Sequence, residues 1–351
     1  MVERYYRLNI KLSLNMDSID NEELYEHHFF EVEKKHDLIR IDKFLLLRLA
    51  NTSRNKIQKS ISSGHVFCNN KLIKSNYKVK PLDKISIRFE YEPYNREIIP
   101  ENIPIDIVFE DNDIIVLNKP SNMVVHPSYG HYSGTLVHAL LYKYNDLQDS
   151  VDNQRPGLVH RLDKNTTGLM VVARNSNSLN HLSNQFSDRT INRQYFALVW
   201  GDLKNDQGTI VGNIGRNKKN RKLMTVFNNE EEGKHAITHY KVIERFRYIT
   251  LVQCKLETGR THQIRVHMKH IGHPLFNDLE YGGDKVLRGT TFSKYKKFVQ
   301  NCFKILPRQA LHATQLSLIH PKNNKLVTFE SSLPDDMISV IDRWRDYISN
   351  V

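Results

Sequence analysis

From residue 105 onward, the spacing of short apolar runs limits this chain to few folds. Runs at 105–110, 114–118, 169–173, 194–200, 249–257, 264–268 and 326–329 are rich in Ile, Val, Leu and aromatic side chains, with polar turns between them. Such runs predict strands. Helical patterns are fewer, at 136–144, 178–187 and 334–348. Strands that outnumber helices without regular strand–helix alternation predict an α+β fold rather than a doubly wound parallel sheet. The length of 351 residues predicts two domains, and 39% hydrophobic content suffices for a packed core. No apolar run approaches the ~20 residues of a membrane span. The first residues, MVERYYRLNIKLSLN, lack the apolar stretch of a signal peptide, so a cytoplasmic protein without membrane partners is expected.

The net charge of +12 is unevenly spread. Residues 1–36 carry 5 basic and 8 acidic side chains, whereas residues 37–91 carry 12 basic and 4 acidic ones. A segment this basic predicts a module for a polyanion. Within it, residues 42–51 form a short helix pattern. Ser53 is placed to cap a second helix at 54–62, with Gly64 to end it. Arg54, Lys56 and Lys59 ride on that second helix, and residues 65–68 and 72–73 around Asn69-Asn70-Lys71 read as a hairpin. Residues 1–36 show no sustained periodicity and form an N-terminal extension. Residues 91–100, with a proline near each end, read as a linker to a catalytic domain at 102–351. Cys68, Cys254 and Cys302 are too scattered for a metal site or a disulfide framework. The 17 histidines form no HExxH or zinc-spaced cluster, and no GxxxxGK[ST] loop is present, so neither metal nor nucleotide cofactor is expected.

One stretch carries chemistry. Residues 160–175, HRLDKNTTGLMVVARN, place Asp163 between the basic turn of His160, Arg161 and Lys164 and the turn Thr166-Thr167-Gly168, followed by an apolar run. A carboxylate on a loop anchored to a buried strand can be held against a substrate, and nearby cations keep it ionised. This block resembles the catalytic motif of the RluA/RluD-type RNA pseudouridine synthases. The resemblance extends to Arg193-Gln194-Tyr195 and its apolar continuation, to LETGRTHQIRVH at 256–267, to RQALHA at 308–313, to residues 104–127 and to Gly272-His273-Pro274-Leu275. The blocks follow the family's order across residues 100–345. Residues 38–88 resemble the RNA-binding domain first defined in ribosomal small-subunit protein four, the S4 domain.

The resemblance implies a mostly antiparallel mixed sheet, flanked by helices and split by a central cleft carrying the aspartate. It implies an enzyme that isomerises uridine within RNA, breaking N1–C1′, rotating the base and rejoining it through C5. No group is added or lost, so no cofactor is required. Asp163 would act as nucleophile or as base. Arg265 would pair with it, and Tyr195 would pack on the uracil ring and could take the C5 proton. Arg161 would fill the stack left by the flipped base, with His160 beside it as a second substrate contact. Arg54, Lys56 and Lys59 would dock folded RNA through phosphates and shape. The motifs lie closest to the RluD-type branch. That branch makes large-subunit (23S) ribosomal RNA, or its assembly precursor, the expected partner, and the hairpin at the subunit interface the expected target. A sister-branch ribosomal or transfer RNA target is the alternative, and an RNA-binding assembly factor is an alternative of another class. Without coiled-coil heptads the chain is expected to be a monomer. Residues 263–267, Gln-Ile-Arg-Val-His, read as an alternating strand, which would turn His262 and His267 to opposite sides.

Overall fold

The computed structural model describes residues 24–350 apart from 36, 50–51, 90–97, 129, 146, 148–154, 228 and 230. The chain forms two compact units, residues 1–95 and 96–351. Most of the expected linker falls outside the described residues, as do residues 1–23 of the N-terminal extension.

The first unit is a four-stranded antiparallel sheet backed by two helices. Helix α1 (Ile41–Arg48) and helix α2 (Arg54–Ser62) bury Ile41, Phe44, Leu45, Ile57 and Ile61 with Val66, Ile85 and Ile87 of the sheet. Ser53 caps α2 by accepting the Lys56 N–H, and Gly64 leaves the helix at φ +77°, the left-handed conformation a Cβ disfavours. Strands β2 (Val66–Cys68) and β3 (Lys71–Leu72) form the expected hairpin, and β4 (Lys84–Phe89) lies beside β2. The other side of β4 holds β1 (Tyr25–Glu31), which belongs to the segment that showed no periodicity. A register shift between Glu26 and His28 interrupts the two-residue alternation, which hides this strand in the sequence.

The second unit is built on one ten-stranded sheet. Its strands are β5 (Asp106–Glu110), β6 (Ile114–Lys119), β7 (Thr167–Ala173), β8 (Asn192–Trp200), β9 (Gln207–Arg216), β10 (Met224–Phe227), β11 (Lys234–Arg245), β12 (Ile249–Leu256), β13 (Leu311–Ile319) and β14 (Leu326–Glu330). They run in the order β10-β9-β11-β12-β8-β13-β7-β6-β5, with β14 also on β13. Every pairing is antiparallel except β13 with β7. The expected mostly antiparallel mixed sheet is present.

Alternation along the strands covers both faces. On one face Ile115, Leu117, Met170, Val172, Ala197 and Val199 meet helix α3 (Leu136–Lys143) and helix α5 (Gln263–His270). On the other, Ile114, Val116, Leu169 and Val171 meet α4 (Ser176–Ser187) through Leu182, while Leu198, Trp200 and Leu251 meet α6 (Ser293–Ile305) and α7 (Asp335–Ser349). Helix α6 lies within a stretch, 285–306, whose sequence is rich in lysine, and buries Tyr295, Val299 and Cys302, so one side of the helix is core.

The β7–β13 seam is short and positions the site. The two strands pair only at Thr167–His312 and Gly168–Ala313 before β14 takes over that edge of β13. Gly168 has φ +114°, and a Cβ there would lie 2.2 Å from the Ala313 carbonyl oxygen. Only glycine lets the strands meet at this point.

One expectation fails. Residues 264–268 are not a strand but the body of α5. Apolar Ile264, Val266 and Met268 alternate with polar Arg265 and His267, which imitates a strand, yet all five are buried. Arg265 and His267 Nδ1 find partners inside the protein while His267 Nε2 is buried without one, so burial no longer follows polarity. His262 and His267 therefore do not flank a strand. His262 is the residue before the helix, at φ 55°, and His267 is buried in the helix with Nδ1 2.9 Å from Thr238 Oγ1.

Candidate active site

The loop before β7 carries Asp163 and is pinned from several sides. Thr166 N–H donates to the Asp163 carbonyl at 3.1 Å, closing the turn. Gln309 donates to Thr166 Oγ1 at 3.2 Å, and Arg308 donates to the Asn165 carbonyl at 3.4 Å. Arg308 is itself held by both oxygens of Asp336 at 2.7 and 2.8 Å. Lys119, fully buried at the end of β6, donates to the carbonyls of Pro120, Met123 and Lys164 at 2.6, 3.0 and 3.0 Å. Burial pulls its ammonium down to about 7, against the pull of the Asp163 charge. Residues of the RQALHA and 104–127 motifs thus pin the loop that carries Asp163. A loop fixed by such contacts keeps its geometry when substrate arrives.

Arg265 projects from the first turn of α5, and its side chain is 4% exposed. Its Nη1 donates to Asp163 Oδ2 at 3.0 Å, while Nε and Nη2 grip Asp278 at 2.7 and 2.8 Å. Nη2 also reaches Glu280. Burial opposes the guanidinium charge, but Asp278, then Asp163 and Glu280, outweigh it and hold Arg265 above its ordinary range. It is therefore a fixed cation, oriented by Asp278 and aimed at Asp163.

His262 approaches the other oxygen of Asp163. Its Nε2 lies 3.7 Å from Asp163 Oδ1, and its Nδ1 lies 2.8 Å from Tyr281 Oη. Tyr281 Oη already accepts the Met224 N–H at 3.1 Å, so its proton is free to go to His262 Nδ1. Burial lowers the His262 pKa and favours the neutral ring. That assignment leaves the ring proton on Nε2, facing the carboxylate.

Tyr195 lies on β8, in register with Cys254 of β12 and Ala313 of β13, and is 6% exposed. Burial, with the Asp163 charge adding, raises its phenol pKa, so the hydroxyl stays protonated at neutral pH. No described residue hydrogen-bonds that hydroxyl. Asp163, Tyr195, His262 and Arg265 line one cavity of about 500 Å³. Exposed Arg161 and half-buried His160 line it too. The His160 ring accepts the Val171 N–H at 3.0 Å and stacks on Phe186 with centroids 4.7 Å apart. Burial, then the Arg193 charge, lowers its pKa to about 3, so it meets the cavity as a neutral ring.

In the other unit, Arg54, Lys56 and Lys59 are all exposed along α2. Arg54 has a second commitment, because Nε and Nη2 bind Asp42 at 3.0 and 2.9 Å. Sequence reasoning singled out Asp163, Tyr195 and Arg265, which the fold does bring together. It gave no role to Lys119, Asp278, Glu280 or His262. Asp278 and Glu280 lie just past Gly272-His273-Pro274-Leu275, and acids beside such a motif were the one available signal.

This chain is similar to known proteins over most of its length. Residues 113–270 match the RNA pseudouridylate synthase family and residues 39–85 the S4 domain. An RNA pseudouridine synthase of Chlorobaculum parvum is 44% identical over 90% of this chain and 97% of its own length. The ribosomal large subunit pseudouridine synthase D of Zymomonas mobilis is 39% identical, over 85% of this chain and 91% of its own length. Among solved structures, human RNA pseudouridylate synthase domain containing 4 superposes with a TM-score of 0.52 at 23% identity, covering 68% of this chain and 93% of that one. This last likeness is one of fold.

Proposed function

The chain belongs to the RNA pseudouridylate synthase family, and we propose that it isomerises uridines of large-subunit ribosomal RNA, at the hairpin facing the small subunit, with Asp163 as the reacting carboxylate. One observation carries the reading: a half-buried carboxylate, held by a buried Arg265 at 3.0 Å, shares a cavity with a protonated tyrosine. Relatives around 40% identical that are named ribosomal large subunit pseudouridine synthase D support the choice of RNA.

The target base must first leave its stack, at a cost of a few kcal/mol. Arg161, exposed at the cavity, is placed to take its position. Cleavage of N1–C1′ builds positive charge on the ribose, and the Asp163 carboxylate either bonds to C1′ or removes the 2′ proton. Arg265 holds one carboxylate oxygen by a hydrogen bond and the His262 ring faces the other at 3.7 Å, so the carboxylate is oriented before the step. The released uracil turns until C5 faces C1′. As C5 bonds to C1′, the Asp163–C1′ bond breaks or, on the other route, Asp163 returns the proton to C2′; C5 then gives up its proton and N1 ends protonated, so nothing is gained or lost overall. Tyr195 supplies an apolar face for the ring and a hydroxyl near the C5 proton.

The S4-like unit adds docking through exposed Lys56 and Lys59. We take a single chain as the working unit. Among the described residues no helix is long and apolar enough to cross a membrane. We place the activity in the cytoplasm with its ribosomal RNA. The test is tritium release from RNA labelled at uridine C5, since that proton leaves in the reaction. Purified protein should release tritium from large-subunit RNA, and Asp163→Asn should release none. Release from transfer RNA alone would move the target. No release from any RNA would favour a binding role in ribosome assembly.

A further inference from the structure

The cavity contains a cation that the reaction chemistry leaves unused. Arg193 opens β8 two residues before Tyr195 and projects into the same cavity. No described carboxylate lies within ion-pair reach of its guanidinium, and its Nε is buried without a hydrogen-bond partner. Its other guanidinium nitrogens make no hydrogen bond to any described residue either, so the fork that lines the cavity keeps donors for an acceptor from outside the protein. The charge is also not cancelled locally: it lowers the pKa of His160 and counts against the rise at Tyr195.

The surroundings hold this cation in place. Its guanidinium lies over the Phe186 ring at 5.3 Å, and Gly259 lies close beside it. A Cβ on Gly259 would sit 2.8 Å from Arg193 Nη1, and the nearest atoms it would meet all belong to Arg193. The glycine thus leaves room for the guanidinium alone. Arg189 and Arg260 also line the cavity, and Glu257 is exposed. Arg265, by contrast, is fully engaged by its three acids. An arginine fork with a free buried donor, beside a cavity for a nucleotide, matches a phosphate oxygen.

We propose that Arg193 is the seat for one of the two backbone phosphates flanking the target uridine, fixing the flipped nucleotide so that C1′ meets Asp163. The proposal rests on the pseudouridylation reading but not on which RNA is modified. It names a positioning contact, distinct from the base-replacing role of Arg161 and from the docking lysines of the other unit.

The test neutralises the phosphate rather than the protein. The modified uridine is first mapped in cellular RNA, and an oligonucleotide around it is made with a methylphosphonate at either flanking position. Wild type should lose about tenfold or more in kcat/KM at one position, the size of a lost charge-assisted hydrogen bond. Arg193→Gln should lose a similar factor on unmodified RNA and nothing further on that methylphosphonate. Gly259→Ala, which displaces the guanidinium but keeps its charge, should show a smaller loss with the same dependence on position. Independent, multiplying losses at both positions would overturn the proposal and leave Arg193 a structural partner of Phe186. So would a wild type indifferent to both substitutions, a result that needs no variant to fold. A mapped uridine outside large-subunit RNA would shift the target while leaving this test intact. No mapped uridine at all would overturn both.

Discussion

Each unit of the protein contains a buried ion cluster, and the two are built in opposite senses. In the first unit the buried member is an acid. Asp42 is inaccessible and accepts from Arg40, Arg54 and Gln58, while Arg40 and Arg54 remain 42% and 45% exposed. In the second the hub is a buried cation, Arg265, held by an equally buried Asp278 and by Asp163 and Glu280, which are 21% and 46% exposed. Asp42 joins α1 to α2, and its cations face outward. Arg265 gathers more acid than it needs, and the surplus carboxylate, Asp163, faces a cavity. A buried charge matched to its partners is architecture. A buried charge that orients a partner toward an empty space is machinery.

That contrast can be broken at its strongest point. Asp163→Asn should abolish turnover, by a factor of about a thousand or more in single-turnover rate, with little change in unfolding temperature, because Arg265 keeps Asp278. Asp278→Asn should do the reverse. Removing one partner of a buried pair costs about 3–5 kcal/mol, so urea unfolding should detect a large loss, with activity reduced less than by Asp163→Asn. Equal stability losses for both variants would mean that the two acids are equivalent and that the contrast is wrong.

Asp42 gives the next effect. Burial opposes its charge, but Gln58, Arg54 and Arg40 lower its pKa from 3.8 to about 2. Its stabilisation is complete above about pH 4 and lost as pH falls through 2. Since its partners are exposed and screened, the contribution is about 1–2 kcal/mol. The difference in unfolding temperature between wild type and Asp42→Asn should close over that window. A constant gap down to pH 2 would remove Asp42 from its assigned role. The smallest effect separates the cations of α2. Lys56→Gln should lower the salt slope of RNA binding by about one without affecting stability, whereas Arg54→Gln should also loosen the helix pair.

Local patterns were the part of this molecule that could be read beforehand. Ser53 and Gly64 mark α2 because caps act over a few residues. Strands β6, β7 and β8 declare themselves by unbroken apolar runs. Asp163, Tyr195 and Arg265 were visible through their motifs, though the helix under Arg265 was not, since its buried polar residues find partners on a distant strand and on loops. Lys119 and Arg308 sat in recognised blocks, yet their task is to bond the carbonyls of Lys164 and Asn165, 45 and 143 residues away. No local pattern encodes such contacts. Strand β13, on which both halves of the sheet meet, escaped notice because its run is broken by His312, Thr314, Gln315 and Ser317.

The most direct measurement is carbodiimide-dependent primer extension across ribosomal RNA from cells with and without this gene. The pseudouridine signals of the intersubunit hairpin should vanish without the gene, return with wild type and stay absent with Asp163→Asn. Unchanged signals across ribosomal and transfer RNA, or full restoration by Asp163→Asn, would contradict the role assigned to this carboxylate.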